Sequence, residues 1–278
     1  MIGQITRPQS DAIIFGFDSA WTDDPKSPGA ICAIAFDREG KATVALPELV
    51  SFSNAISTID ERKQAFSLCL VAIDQPTIVP NDKGCRPVDR VAASVVSFAG
   101  GGVQPANTNK RGMFDESAPI WRFKKALKAS DSFDDARRSR SGTFLIEVFP
   151  ALALAGLNDQ FSRRLGAPKY NPKNRRIFRI SHWQAVAQTV CVAADNFHLT
   201  DLADWASEQN RIQSPVKGNQ DCLDAAICAL VGLIWRGCDP AEAVVIGDTK
   251  SGFIITPVSI ETHTRLKSAA QSCAVPIA

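Results

Sequence analysis

The chain has 278 residues, of which 45% are hydrophobic and 22% are charged, an ordinary balance for a globular protein. The net charge of only +2 excludes a strong overall positive field, so any basic surface for nucleic acid must be local. The eight cysteines contain no C-x-x-C pair and the three histidines are far apart, which argues against a zinc site.

The sequence carries no sign of a targeting or membrane segment. Residues 1–4 lack the basic region and long apolar core of a secretion signal. The longest apolar stretch, residues 225–235, is too short to span a bilayer. We therefore expect a cytoplasmic protein with no membrane partner.

The N-terminal part begins with three short apolar segments, at residues 12–17, 30–36 and 43–46, separated by turn-forming residues. Such segments are typical of strands, and their short connections predict an antiparallel meander. A helical pattern at 53–66 and a fourth apolar strand at 68–73 follow.

The rest of the chain is mostly helical in pattern. One further strand is predicted at 143–148 and a late edge strand at 253–256, while residues 99–111 and 168–174 contain the Gly or Pro of loops. Helices are predicted at 88–98, 118–129, 150–157, 175–194, 199–206, 219–236 and 260–270.

This order of elements predicts an α/β fold with a mixed sheet, in which three antiparallel strands are followed by parallel strands. Helices would cover both faces of the sheet. It is also the order of elements in the ribonuclease-H-like fold. We expect one such domain over residues 1–278, with helical insertions at about 97–142 and 158–215.

Two aspartates stand at the ends of apolar strands, Asp18 after the first and Asp74 after the fourth. Ligands of open α/β sheets collect beyond the carboxyl ends of the strands. Neighbouring strands are about 4.8 Å apart, so parallel neighbours would place both carboxylates beside one cation. Alternatively, each aspartate simply caps the turn that follows its strand.

Asp221 and Asp224 share one face of a predicted helix because they are three residues apart. This helix is apolar nearly all round and is therefore expected to be buried. A buried carboxylate needs a partner, so Asp224 should meet either a metal ion or an arginine. Asp221 could instead stabilise the helix start through the helix dipole.

Glu147 is the fifth acidic candidate because it interrupts an apolar strand, although an outward-facing glutamate would explain its position equally well. A cluster of such oxygens suits Mg²⁺ or Mn²⁺ better than Zn²⁺. Two ions of this kind can hold the attacking water and the leaving oxygen in phosphodiester hydrolysis.

Four short motifs resemble, in order, those of the DUF429 family: Phe15-Gly16-Phe17-Asp18, Val71-Ala72-Ile73-Asp74-Gln75-Pro76, Glu147-Val148-Phe149-Pro150 and Asp221-Cys222-Leu223-Asp224-Ala225. The family is regarded as predicted nucleases with a ribonuclease-H-like fold. The resemblance implies that Asp18 and Asp74 are the acidic residues of the first and fourth strands. It also implies that Asp224, with Asp221, provides the acidic side chains of the late helix.

Arg86 and Asp89 resemble the arginine–aspartate pair that follows the second acidic strand of that family, although a local salt bridge would also account for them. The chain departs from the family after Asp18. Residues 19–21 stand there in place of a glycine-rich turn, and Gly29 comes later.

A nucleic-acid substrate needs cations for its phosphates, and aromatic residues among those cations can support single-strand binding. Alternatively, basic residues of this kind simply form a charged surface in contact with water. The candidates are Lys169, Lys173, Arg175 and Arg176, with Tyr170 and Phe178 among them, and a second cluster of Arg137, Arg138 and Arg140.

The sequence thus predicts a Mg²⁺- or Mn²⁺-dependent nuclease. One alternative is a non-catalytic module that binds nucleic acid or protein on the same fold. Another is an ATP-using enzyme of the actin and sugar-kinase class, which is disfavoured because no glycine-rich phosphate loop follows Asp18. The type of nucleic acid, the number of metal ions and the oligomeric state stay open.

Overall fold

A computed structural model of the chain describes residues 11–278, so the expectation about a signal at residues 1–4 lies outside the described residues. Within the described part, the strands are β1 Ala12–Asp18, β2 Gly29–Phe36, β3 Ala42–Val50, β4 Leu68–Ile73, β5 Gly142–Glu147, β6 Ala243–Asp248 and β7 Gly252–Pro257. The helices are α1 Phe52–Lys63, α2 Pro87–Val96, α3 Pro119–Leu127, α4 Phe133–Arg138, α5 Pro150–Leu157, α6 Asp159–Ser162, α7 Ile180–Asn196, α8 Thr200–Arg211, α9 Lys217–Gly237 and α10 Ile260–Cys273.

The main sheet has five strands in the order β3-β2-β1-β4-β5. β1 and β3 both pair antiparallel with β2, whereas β4 pairs parallel with β1 on one side and with β5 on the other. Phe17, Ile73 and Glu147 are aligned across the three parallel strands. This is the predicted ribonuclease-H-like arrangement of three antiparallel strands followed by parallel ones.

The two faces of this sheet are covered by different helices, because side chains alternate along each strand. Even-numbered residues of β1 and β4, such as Ile14 and Ala72, pack in the same core as α9. Odd-numbered residues, such as Phe15 and Val71, pack with residues of α1 and α3. Helices on both faces are therefore confirmed.

Helix α9 lies unusually close to the centre of the sheet because two glycines remove the side chains between them. A Cβ atom on Gly16 of β1 would lie 2.1 Å from the Ala225 carbonyl oxygen of α9. A Cβ atom on Gly232 of α9 would lie 2.8 Å from the Ile14 side chain. Among the described residues, no helix has the length and apolarity needed to cross a membrane.

Several boundaries differ from the sequence predictions. β3 reaches Val50 rather than ending at residue 46, since residues 48–50 continue its pairing with β2 beyond a register shift. α7 begins at Ile180 rather than at residue 175, because the amides of Ile177 and Phe178 donate to the Asn174 carbonyl in a separate turn. The region 97–142 contains α3 and the unpredicted α4, and 158–215 contains α6, α7 and α8.

The predicted late edge strand belongs to a second, two-stranded sheet. β7 pairs antiparallel with β6, which the sequence did not predict as a strand. An isolated parallel bridge between Val148 and Ile255 connects this hairpin to the end of β5. The hairpin therefore extends the fold beyond the fifth strand without joining the main sheet.

Candidate functional site

Asp18 and Asp74 lie side by side at the carboxyl end of the parallel strands. Asp18 is the last residue of β1, Asp74 follows β4, and the Asp74 amide donates to the Phe17 carbonyl oxygen at 2.9 Å. Both positions continue the even-numbered alternation of their strands, which is the face covered by α9. The apolar strands thus direct both carboxylates towards the same helix.

Helix α9 contributes the other two aspartates of the predicted cluster, since its first three turns pass this edge. Asp221 is 6% exposed and Asp224 is 5% exposed. Asp224 accepts hydrogen bonds from the Tyr170 hydroxyl at 2.5 Å and from Gln220 Nε2 at 3.0 Å. Asp221 accepts a hydrogen bond from Lys217 one turn earlier on the same helix.

The carboxylates influence one another strongly. Burial raises the pKa of Asp18 well above its usual range, and the charges of Asp224 and Asp74 raise it further. Burial and the charge of Asp224 likewise raise the pKa of Asp74. Burial raises the pKa of Asp224 to about 6, even though the Tyr170 hydrogen bond and the Lys217 charge oppose the rise. Such a group of acids favours the binding of a proton or of a cation.

Lys217 is the cation that the protein itself supplies to this cluster. Although burial alone would lower its pKa, the charges of Asp18, Asp221 and Asp224 and the hydrogen bond to Asp221 raise the pKa. The sequence prediction missed this residue. The signal that could have found it is the helical spacing of residues 217, 220, 221 and 224, which places all four on one side of α9.

Glu147 lies at the same edge but on the other face of the sheet. Its neighbour in β5, Leu145, packs with the α1 and α3 core, whereas Ile146 packs with α9. Glu147 is 2% exposed and accepts two hydrogen bonds from Arg86, at 2.5 and 2.8 Å. Glu147 nevertheless lines the same cavity as Asp74, and its charge contributes, after burial, to the raised pKa of Asp74, although Arg86 is its ion-pair partner.

Arg86 also binds Asp89, so the arginine joins two buried carboxylates. Its Nη2 lies 2.7 Å from Asp89 Oδ1, and its Nη1 donates to the Ile78 carbonyl oxygen at 3.0 Å. The two carboxylates raise the pKa of Arg86 despite its burial. The arginine–aspartate pair seen in the sequence is thus a buried ion triad with Glu147.

The turn after Asp18 is shaped by Gly29 even though no glycine follows Asp18 in sequence. A Cβ atom on Gly29 would lie 2.1 Å from the Asp18 carbonyl oxygen. Trp21, within this turn, adopts a positive φ of 63° and packs edge-on against Phe114. The glycine that the loop needs is therefore supplied from the start of β2.

The predicted basic residues divide into several groups. Lys169 donates from Nζ to the Gly100 carbonyl oxygen at 2.5 Å. Lys169 and the exposed Lys173 both line the cavity beside the aspartates that is described below. Arg175 and Arg176 are exposed and do not line that cavity. The second cluster lies elsewhere, since the Arg137 guanidinium stacks on Trp235, about 20 Å along α9 from Asp221.

A cavity of about 830 Å³ opens beside the aspartates. Asp74, Asp221 and Asp224 form part of its wall together with Lys217 and Gln220. Gln220 is 8% exposed, and its Oε1 atom has no hydrogen-bond partner among the described residues. The cavity is thus lined by carboxylates and by lysines, which are Lys26, Lys169, Lys173 and Lys217.

The donor chemistry fits a hard divalent cation at Asp18 and Asp74. Within residues 11–278, no three Asp, Glu, His or Cys side chains are grouped so that they could hold an ion by themselves. However, Mg²⁺ commonly binds through one or two carboxylates and completes its shell with water and substrate phosphate. Neither Asp18 nor Asp74 receives a side-chain hydrogen bond from the described residues, so both carboxylates are available.

Comparison with known proteins yields one match. The model of a family described as a protein of unknown function, DUF429, matches residues 16–250, which include the four aspartates of the cluster as well as Glu147 and Asp89. No curated protein and no solved structure is significantly similar to the chain.

Proposed function

The chain belongs to the DUF429 family, and from the arrangement of its site we propose that the protein is a metal-dependent nuclease that hydrolyses phosphodiester bonds. The observation that carries the proposal is the meeting of Asp18, Asp74 and Asp224 at the carboxyl end of the parallel strands, where burial raises all three pKa values and the charge of Asp224 raises those of Asp18 and Asp74 further. A cation bound between such closely placed acids would relieve the repulsion between their charges; two of the three, Asp74 and Asp224, line the cavity.

Asp18 and Asp74 are the residues that would hold Mg²⁺ or Mn²⁺. Bound there, such an ion would supply activation of water as a nucleophile and neutralisation of charge on the phosphate. Asp221 and Asp224 stand on the facing helix, where hydrogen bonds from Lys217, Tyr170 and Gln220 fix their orientation. Burial of Asp18, Asp221 and Asp224 limits the access of bulk water, which would strengthen their interaction with a cation.

Lys217 has the position of a residue that neutralises negative charge during the reaction. Its ammonium group lies in the cavity wall beside Asp74 and Asp221. A phosphodiester gains negative charge at its non-bridging oxygens as water attacks, and a fixed cation at that place stabilises the transition state. Lys173 also lines the cavity and would contact a neighbouring phosphate.

A second candidate function is a non-catalytic module that binds nucleic acid or protein. The observation in its favour is that protein donors already engage Asp221 and Asp224, which leaves two aspartates for a cation. A cleavage panel separates the two functions. The nuclease proposal predicts Mn²⁺-dependent products from at least one of single-stranded, duplex, branched or hybrid substrates, whereas a blank across the panel favours the binding module.

The metal site itself is tested by calorimetric titration with Mn²⁺. The native protein should bind the ion, and Asp74→Asn should lose at least about tenfold in affinity because one of two anionic ligands is removed. Asp82→Asn is the matched control, since Asp82 is exposed in the loop that follows the same strand. Equal affinity of the native protein and Asp74→Asn would contradict the assignment.

A further inference from the structure

We infer that the site holds a single divalent ion, at Asp18 and Asp74, because the Lys217 ammonium group occupies the place that a second ion would take between Asp18 and helix α9. Lys217 is thus a built-in counter-ion that sets how many metal ions the aspartates bind. The inference rests on the proposed function in one respect, since it takes Asp18 and Asp74 as the metal ligands.

A second divalent ion would need carboxylate oxygens beyond those of the first. In two-metal sites the ions lie about 3.5–4 Å apart and act on the same phosphate. An ion placed in this way beside one at Asp18 and Asp74 would draw its ligands from the facing helix, where the candidates are Asp221 and Asp224. What these two side chains already bind therefore decides whether a second ion fits.

Both aspartates of α9 are engaged by protein donors. The Lys217 ammonium binds Asp221 Oδ1. Asp224 accepts a hydrogen bond from the Tyr170 hydroxyl on one oxygen and from Gln220 Nε2 on the other. A second ion at the helix would have to compete with these donors.

The first ion meets no such competition, because no described side chain donates a hydrogen bond to Asp18 or Asp74. The two strand aspartates and the two helix aspartates therefore differ in what they offer to a metal. The strand pair is open to a cation, whereas the helix pair is already satisfied by the protein.

The charge interactions of Lys217 show that its ammonium group lies among the aspartates and not at Asp221 alone. Burial lowers the pKa of Lys217, but the charge of Asp18 opposes this most strongly, followed by the hydrogen bond to Asp221. The Lys217 charge in turn opposes the effect of burial on the pKa values of Asp18, Asp74 and Asp224. One fixed positive charge thus acts on the strand and helix aspartates together.

A second divalent ion would have to displace this ammonium group. Two cations a few ångströms apart repel each other, and the repulsion is strong where burial keeps water away. Displacement would also break the ion pair of Lys217 with Asp221. During hydrolysis the ammonium supplies the phosphate with positive charge that a second ion would otherwise supply.

Calorimetric titration with Mn²⁺ counts the ions, alone and with dimethyl phosphate, which represents a substrate phosphodiester. The native protein should bind one ion per chain under both conditions. Lys217→Gln removes the ammonium group and frees Asp221, so the number of bound ions should double to two. Electron paramagnetic resonance distinguishes an isolated Mn²⁺ from a coupled pair, and it should detect the pair only in Lys217→Gln.

Two further variants control for charge. Lys217→Arg keeps the positive charge and should bind one ion. Lys26→Gln removes an exposed lysine from the wall of the same cavity and should also bind one ion.

Two ions in the native protein, or a single ion in Lys217→Gln, would overturn the inference and leave the nuclease proposal standing. A native protein that binds no Mn²⁺ would overturn both. One ion in the native protein and a coupled pair in Lys217→Gln, with no cleavage of any substrate, would support the inference and reject the nuclease proposal.

Discussion

At the scale of single residues, the direction of a side chain decides what each buried carboxylate does. Ile73 and Glu147 are aligned between neighbouring strands, so Asp74 lies only one position beyond the level of Glu147. Asp74 faces α9 and meets other aspartates, whereas Glu147 faces the opposite side and meets Arg86. Glu147 is thus neutralised by Arg86, whereas the Asp74 side chain has no hydrogen-bond partner among the described residues.

The ion triad gives a prediction for Arg86. Arg86→Met leaves Glu147 and Asp89 buried without their cation, which typically costs about 3–5 kcal/mol of stability when a buried ion pair loses one partner. Urea unfolding at pH 7.5 measures the loss. Because burial already raises the pKa of Glu147, protonation should relieve part of the defect at lower pH.

Arg90→Met is the control for this experiment, since Arg90 is exposed on the same helix. It should change the free energy of unfolding by less than about 0.5 kcal/mol. If the two variants were equally stable, the triad would not be the buried, mutually dependent group that its geometry indicates.

At the scale of elements, the site depends on how closely α9 approaches β1. At Gly16 the backbone of β1 touches the backbone of α9, so any side chain at this position would push the helix away from the strand. The same helix carries Asp221 and Asp224, and the same strand carries Asp18. The distance between helix and strand therefore sets both the packing of the core and the assembly of the aspartates.

Gly16→Ala tests this dependence. A Cβ atom 2.1 Å from the Ala225 carbonyl oxygen forces the helix away from the sheet, and we expect a loss of about 3 kcal/mol or more in the free energy of unfolding. If enough protein folds for titration, its Mn²⁺ affinity should fall as well, since Asp221 and Asp224 move with the helix.

Gly102→Ala provides the matched control, because a Cβ atom there would meet no described atom within 4 Å and its φ is not positive. It should leave the urea midpoint unchanged within error. A Gly16→Ala protein as stable as Gly102→Ala would show that α9 does not rest directly on β1.

At the scale of the whole molecule, the buried aspartates make stability depend on pH. The folded-state pKa of Asp224 is about 6, above its ordinary value of 3.8, so a proton binds the folded state more tightly than the unfolded state. The stability contributed by this proton is complete below about pH 4 and is lost as the pH rises through about 6. Asp18 and Asp74, whose pKa values are also raised, act in the same direction.

Comparison of native protein with Asp224→Asn tests this effect. Between pH 4 and pH 7.5 the native protein should lose at least about 2 kcal/mol more stability than the variant, since each unit of pKa shift corresponds to about 1.4 kcal/mol and the charge of Asp224 also raises the pKa values of Asp18 and Asp74. Chemical denaturation across this range provides the measurement. Parallel curves for the two proteins would show that Asp224 is not buried among like charges.

A divalent cation should reverse the loss at pH 7.5. Mn²⁺ at about 100 times its dissociation constant should raise the free energy of unfolding of the native protein by about 2.7 kcal/mol. The gain should be much smaller for Asp74→Asn and unchanged for Asp82→Asn. Equal stabilisation of all three proteins would contradict a specific site at Asp74.

The sequence by itself determined the elements whose signal is local. Short, continuous apolar runs define β1 and β4, and the ends of these runs give the positions of Asp18 and Asp74 at the carboxyl ends of the strands. The spacing of Asp221 and Asp224 on an apolar helix likewise predicts a buried face with two carboxylates. These features depend on the order of apolar and acidic residues over short stretches of sequence. They can therefore be recognised without knowing how distant elements pack.

Only the tertiary structure decided which partner each polar side chain has. Tyr170 reaches Asp224 across 54 residues, and Arg86 reaches Glu147 across 61. The sequence left Glu147 open to either face, and it left the β6 strand unpredicted because its pairing with β7 is required to define it. Such contacts follow from the packing of distant elements, and no local period encodes that packing.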